Sequence, residues 1–306
     1  MSSSYSLATK DFKTILDFLR FGLSSANSAK LYYGHGTDNS YDEILALILG
    51  SLSLPYDLDP IMFNAQLTQD EMALISKQLY KRIVERVPVP YLTKTAYFCD
   101  LSFFVDDRVL IPRSPIAELI LDKFSPWIDE DKVESILDLC TGSGCIAIAC
   151  CYAFEDALVD AVDISKDAIS VAVINRDRHS LNNVLTIIES DCFNAVPLKK
   201  YDIIVSNPPY VGHEEMQTLP NEYLHEPNIA LETNNNGLAI VDNILSKAQN
   251  YLSDHGILVV EVGNSEEALL EAYPNIPFTW LDFERGGSGV FLLTCQQLKD
   301  YNNSRS

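Results

Sequence analysis

Asn207-Pro208-Pro209-Tyr210 is the stretch of this chain best equipped for chemistry. It follows the apolar run Tyr201-Asp202-Ile203-Ile204-Val205-Ser206, which puts it at the C-terminal mouth of a predicted buried strand. Ligands of open α/β sheets bind at that edge. Two consecutive prolines lock φ, remove two backbone donors and bar helix or sheet from continuing. The stiff turn that remains presents the Asn207 amide, the Pro208 carbonyl and the Tyr210 ring together. The Asn oxygen and the Pro carbonyl can accept both hydrogens of a planar NH2 group, while the ring stacks on its plane. Taken alone, the tetrapeptide also reads as a structural turn with a core-facing tyrosine.

A second constellation lies upstream. Ser135-Ile136-Leu137-Asp138-Leu139 runs directly into Cys140-Thr141-Gly142-Ser143-Gly144, and a predicted helix over 145–154 follows. Glycines let backbone turn tightly and approach a ligand closely, so the pattern is a nucleotide-type cradle at a helix start. Gly142-x-Gly144-x-x-Ala147 resembles half of a dinucleotide fingerprint, which leaves a nicotinamide dehydrogenase open for this loop alone. Asp163 ends the next strand, about 20 residues past the glycines, where a carboxylate suits the ribose hydroxyls of either cofactor. Asp191, past the third strand, can accept a hydrogen bond from an adenine amino group. A dehydrogenase has no use for a rigid NH2 clamp at Asn207. A methyltransferase does, because S-adenosylmethionine carries a sulfonium methyl that must line up with a target nitrogen.

The elements that must position these groups follow from periodicity. Residues 1–90 read as a helical domain whose surface, not its core, would decide function. Phe12, Ile15, Leu16, Leu19 and Leu23 keep a 3.6 period, Ser40-x-x-Glu43 and Thr68-x-x-Glu71 are predicted capping boxes, and Val87-Pro88-Val89-Pro90 stops a helix reaching about Arg86. Residues 91–112 change to a predicted β-hairpin linker, Ala96-Tyr97-Phe98 and Leu101 to Val105. A stiff loop, Ile111 to Pro115, precedes a helix from Ile116 to Phe124, with Glu118 in its first turn. Residues 113–295 alternate strands (134–140, 157–163, 184–189, 201–206, 256–262, 278–283, 289–294) with helices (145–154, 165–180, 237–253, 266–273). That alternation predicts an α/β fold, a mostly parallel sheet wrapped by helices on both faces. Residues 296–306 are polar and aperiodic and read as a flexible tail.

Composition narrows the classes. A 47% hydrophobic fraction over 306 residues is ample for a large core. Met1-Ser2-Ser3-Ser4-Tyr5 has neither a basic nor an apolar leader region, and no run approaches a bilayer-spanning length, so the expectation is a cytoplasmic chain without membrane partners. Seven cysteines without Cys-x-x-Cys or paired histidines argue for reduced, buried thiols and against zinc or another metal site. There are 22 Lys and Arg against 43 Asp and Glu, a net charge of -21. Residues 1–90 hold 8 basic and 10 acidic side chains, which leaves 14 and 33 for the remainder. Such a surface repels phosphate backbones and attracts basic proteins, so the expected partner is a basic protein rather than DNA.

Asp138 to Gly144, Ser190-Asp191-Cys192-Phe193 and Asn207 to Tyr210, in that order, resemble the class I S-adenosylmethionine-dependent glutamine N5-methyltransferases of the HemK/PrmB type. Tyr33 to Asn39, Val87 to Leu92 and Val109 to Ile116 are similar to the branch that modifies large-subunit ribosomal protein three. The release-factor branch more usually has Pro-Arg-Pro-Glu where this chain has Pro112-Arg113-Ser114-Pro115. The tetrapeptide is shared with adenine-N6 DNA methyltransferases, which would also need a basic groove. The resemblance implies a Rossmann-like seven-stranded sheet with an N-terminal helical domain joined by a β-hairpin. It also implies that Cys140, Thr141, Gly142, Ser143 and Gly144 wrap the methionine and ribose, that Asp163 holds the ribose, and that Asp191 and Cys192 border the adenine. Asn207, Pro208, Pro209 and Tyr210 would hold the glutamine, with Asn207 also bordering the cofactor. Glu118 and Glu261 would line the cleft. Cys192 is a departure, since many members carry Trp there.

Overall fold

The computed structural model describes residues 11–235 and 237–304, so the leader reading at Met1 to Tyr5 lies outside the described residues. The chain divides into two compact units. One takes residues up to Ala96 with Val105–Asp107 and Pro220–His225; the other takes Tyr97–Phe104, Arg108–Leu219 and Glu226 onward.

The first unit is helical. Its helices span Ile15–Ala29, Ser40–Ser51, Gln69–Ile83 and the short Val89–Thr93. The Thr68-Glu71 capping box forms as predicted, with Thr68 Oγ1 accepting from Glu71 N and Glu71 Oε2 accepting from Thr68 N. The Ser40-Glu43 box does not. Asn39 is the N-cap, its Oδ1 accepting from Asp42 N at 2.9 Å. Glu43 is buried and turned inward to Arg82, because a buried guanidinium attracts a carboxylate more strongly than a single backbone N–H does. The first described helix starts at Ile15 on a reciprocal Thr14-Asp17 box. Its Gly22 lies against the second helix, since a Cβ there would come within 2.7 Å of Ile44 Cγ2. Phe18, Ile44, Leu47, Ile48, Ile75 and Leu79 are completely enclosed around this contact. Arg82, 1% exposed, donates to Glu43 Oε1, Glu222 Oε1 and the Tyr32 carbonyl. A buried charge persists only when paired and hydrogen-bonded in this way.

The hairpin of β1 (Ala96–Phe98) and β2 (Leu101–Phe103) carries the chain out of the first unit, and Phe98 and Phe103 enter the core of the second. That second unit is built on a seven-stranded sheet, the class I methyltransferase arrangement. In it are β3 (Ser135–Leu139), β4 (Leu158–Asp163), β5 (Leu185–Glu189), β6 (Tyr201–Ser206), β7 (Leu252–Glu261), β8 (Thr279–Trp280) and β9 (Val290–Thr294). Their order is β5-β4-β3-β6-β7-β9-β8, with β9 antiparallel to both neighbours. Alternate residues feed opposite faces. Ile136, Ile203, Val205 and Val259 pack under the helices Ile116–Leu121 and Cys145–Ala153, while Leu137, Leu139, Ile204 and Leu258 pack under Ala239–Tyr251.

Several predicted boundaries shift. The strand expected over 278–283 shrinks to two residues, and the helix expected through Phe124 stops at Leu121. The predicted flexible tail is corrected outright: Cys295–Ser304 is a helix. Thr294 Oγ1 accepts from Gln297 N and Gln297 Oε1 accepts from Thr294 N, so a capping box starts it, and buried Cys295 and Leu298 anchor it to the core. Among the described residues no helix is long and apolar enough to cross a membrane.

Candidate active site

Register brings the singled-out residues to one row. Leu139 pairs with Val162 on one side and with Ser206 on the other, while Ser206 pairs with Val260. Cys140, Asp163, Asn207 and Glu261 therefore all reach the same sheet edge. The strand order reverses at β3, where β4 and β6 flank it, and that reversal opens a crevice for a ligand.

The crevice is a cavity of about 440 Å³. Cys140, Thr141, Gly142, Ser143, Asp163, Asp191, Cys192, Asn207 and Pro209 line it; Gly144, Pro208 and Tyr210 do not. Gly142 has φ +56°, and a Cβ built on it would meet nothing within 4 Å, so its bare backbone faces open space. Gly144, with φ +82°, allows close packing on Ala172, 3.4 Å from where its Cβ would stand. Asp163 stabilises the turn, accepting from Gly142 N through Oδ2 and from Ser165 N through Oδ1, both at 2.9 Å. Ile164 N also bonds this carboxylate, which keeps acceptor capacity for a further donor. Burial raises the Asp163 carboxyl above its ordinary range, against the pull of those backbone donors.

Asp138 sits beneath the loop. Its Oδ2 accepts from Thr141 Oγ1 at 2.5 Å and from Ala147 N at 3.1 Å, so it caps the helix Cys145–Ala153, which has no side-chain cap of its own. Among the described residues Oδ1 has no hydrogen-bond partner, and complete burial pushes this carboxyl up to about 7. Cys140 and Cys192 both line the cavity, and each thiol lies close enough to shift the other. That contact holds Cys140 protonated well above its ordinary value and lowers Cys192.

At the tetrapeptide, Pro208 is buried and Tyr210 half-buried behind the lining. Among the described residues, neither the Asn207 side-chain amide nor the Pro208 carbonyl has a hydrogen-bond partner. The Asn207 amide, on the lining and uncommitted, is available to a ligand. Glu118 lies elsewhere, accepting from Glu284 N and Arg285 N at 2.9 Å. Glu261 is buried behind the cavity rather than lining it, a correction to the expectation for both glutamates.

Some of the lining was not foreseen. Ile164, Ser165 and Ala168 follow Asp163 into the next helix, and Pro227, Asn228, Ile229, Ala230, Glu232 and Thr233 form a further wall. Irregular backbone leaves no periodic signal for such a wall, whereas the two residues after Asp163 could have been inferred from its position at a strand end.

A family model, the methyltransferase small domain, matches residues 117–255. The ribosomal protein uL3 glutamine methyltransferase of Francisella tularensis is 46% identical over 292 residues, 95% of this chain and 93% of that protein. The chain belongs to the ribosomal protein uL3 glutamine methyltransferase family. The relative of that name from Neisseria meningitidis serogroup B is 45% identical, covering 96% of this chain and 97% of its own length. Among solved structures, the chain is similar to the Thermus thermophilus 16S rRNA N2 G1207 methyltransferase with AdoMet and guanosine, at 16% identity and a TM-score of 0.46, covering 65% of this chain and 49% of that one.

Proposed function

We propose that this enzyme transfers the methyl group of S-adenosylmethionine to the side-chain nitrogen of a glutamine in ribosomal protein uL3, giving N5-methylglutamine and S-adenosylhomocysteine. The observation that carries the reading is the uncommitted pair of acceptors, Asn207 Oδ1 on the lining that Gly142 shares and the Pro208 carbonyl that follows it in the chain. The names of the two curated relatives support the substrate. The excess of acidic residues beyond position 90 supports a basic protein partner and disfavours DNA. A ribosomal protein is made in the cytoplasm, where this reading puts the reaction.

The cavity suits the cofactor. Open space over Gly142 accommodates a close ligand, Asp163 keeps acceptor capacity for ribose hydroxyls, and Asp191 and Cys192, on the lining, would border the adenine. Cys140 to Gly144 would hold the methionine and ribose. When bound, the cofactor supplies an electrophilic sulfonium methyl.

The chain's own residues do the rest. An amide nitrogen is a poor nucleophile because its lone pair is delocalised into the carbonyl. Asn207 and Pro208, each accepting one N–H, favour a more tetrahedral nitrogen whose lone pair faces the cavity, and Tyr210 holds the amide plane. Alignment and matched polarity lower the barrier. No general base is needed, since the methylated nitrogen loses its proton readily after transfer.

The test is incubation with methyl-labelled S-adenosylmethionine and, separately, uL3, a release factor and duplex DNA, with the label located by mass spectrometry. Label on one glutamine of uL3 is expected. Label confined to the release factor or to DNA would overturn the substrate assignment.

A further inference from the structure

One buried carboxylate joins two loops of the second unit. Glu261, the last residue of β7, is 5% exposed. Its Oε1 accepts from the Tyr210 hydroxyl at 2.9 Å, and its Oε2 accepts from Ser114 Oγ at 2.6 Å. Ser114 lines the cavity and also accepts from Ile116 N, which fixes it at the start of the helix Ile116–Leu121. Tyr210 is held at two further points. Its carbonyl accepts from Ser265 Oγ at 2.8 Å, and its ring lies so close to Gly263 that a Cβ there would fall 2.5 Å from Tyr210 Cε2.

We infer that Glu261 is a positioning residue for methyl transfer, acting through the Tyr210 hydroxyl to fix the ring plane against which the acceptor amide lies. This rests on the reading that Asn207 to Tyr210 receive the glutamine. Burial raises this carboxyl above its ordinary range, against the pull of the two hydroxyls, and both hydroxyls donate to it, so in its ionised form, which only accepts, both O–H directions are determined. Glutamine in its place offers one acceptor and one donor group, so one of the two hydroxyls must reverse or let go. A ring free to turn about its side-chain torsions still fills its space but no longer holds one plane. Misplacement of that kind costs rate more than binding.

The test uses the full-length chain and labelled transfer to uL3, comparing Glu261→Gln, Tyr210→Phe, the double variant and Asn207→Ala, with cofactor affinity by calorimetry and thermal melting alongside. Glu261→Gln is expected to lower kcat roughly tenfold while KM for the protein and the cofactor Kd stay within about twofold. The double variant should be no slower than the slower single variant, since both changes remove one contact. Full kcat in Glu261→Gln with an inactive Asn207→Ala would overturn the inference alone, and full activity in both would overturn the reading of the tetrapeptide. Additive losses, or a cofactor affinity that falls with kcat, would show a merely structural role and overturn it as well. Should Glu261→Gln fail to fold, Tyr210→Phe decides: it keeps the ring and removes the donor, and an unchanged kcat would sink the inference.

Discussion

Arg113 and Glu226 grip each other with two parallel hydrogen bonds, Nη1 to Oε1 at 2.5 Å and Nη2 to Oε2 at 2.7 Å. The Glu226 side chain is wholly buried, and its Oε1 also accepts from Ile111 N. The pair joins the Pro112 to Ser114 wall of the cavity to the wall that begins at Pro227. Removing the guanidinium strands a buried carboxylate, which typically costs about 3–5 kcal/mol. Arg113→Ala should therefore melt well below the parent and bind cofactor more weakly. Arg113→Lys should fall between the two, because an ammonium keeps the charge and loses the fork. Melting curves that superimpose for all three proteins would contradict this.

Asn207→Ala removes an acceptor that nothing else in the described structure uses. Folding and cofactor affinity should stay within a few-fold of the parent. Turnover should drop by roughly 100-fold or more, the usual effect of losing one preorganised polar contact at a reacting centre. Parallel loss of cofactor affinity in calorimetry would instead make Asn207 a cofactor ligand.

Asp138 carries a pH signature. Burial pushes its folded carboxyl up from an ordinary 3.8 to about 7. Between those values the folded state binds the extra proton, so this group's contribution to stability is greatest below about pH 4 and declines as pH rises through 7. Asp138→Asn keeps an acceptor for Thr141 and Ala147 without the buried charge. Melting from pH 4 to 8 should show the variant gaining on the parent as pH rises. A constant difference across that range would refute the assignment.

Cys192 should be the first of the cavity thiols to be alkylated. The neighbouring Cys140 thiol lowers Cys192, whereas burial pushes Cys99, Cys145 and Cys151 up to about 12. Peptide mapping after brief iodoacetamide treatment should find Cys192 modified first, with S-adenosylhomocysteine slowing it. Earlier labelling of Cys145 would be the contrary result.

Thr68 and Glu71 announce their helix because both partners of the box lie within four residues and compete with nothing stronger. Ser40 and Glu43 carry the same local pattern, yet a partner 39 residues away claims the glutamate. The strand ends that carry Cys140, Asp163 and Asn207 were legible because burial on both sheet faces writes continuous apolar runs. The Asp138 cap was not, since its carboxylate reaches a helix across the loop rather than along it. Nor was the shared carboxylate of Glu261, whose two partners are 147 and 51 residues away. The tail was misread for a different reason: Thr294-x-x-Gln297 is a capping signal within the sequence, and polarity masked it.

The Arg82 cluster constrains how this protein can be taken apart. Glu222 belongs to the compact helical unit although it lies far beyond that unit's other residues in the chain. A fragment ending at Ala96 would keep Arg82 and Glu43 but lose the second carboxylate and, with it, the acceptor for Tyr32 N. The helical unit is therefore not a cassette. Gene fusions that graft residues 1–96 onto another catalytic unit would inherit an arginine with half its counter-charge, and a working chimera must carry the 220–225 strip from the same parent.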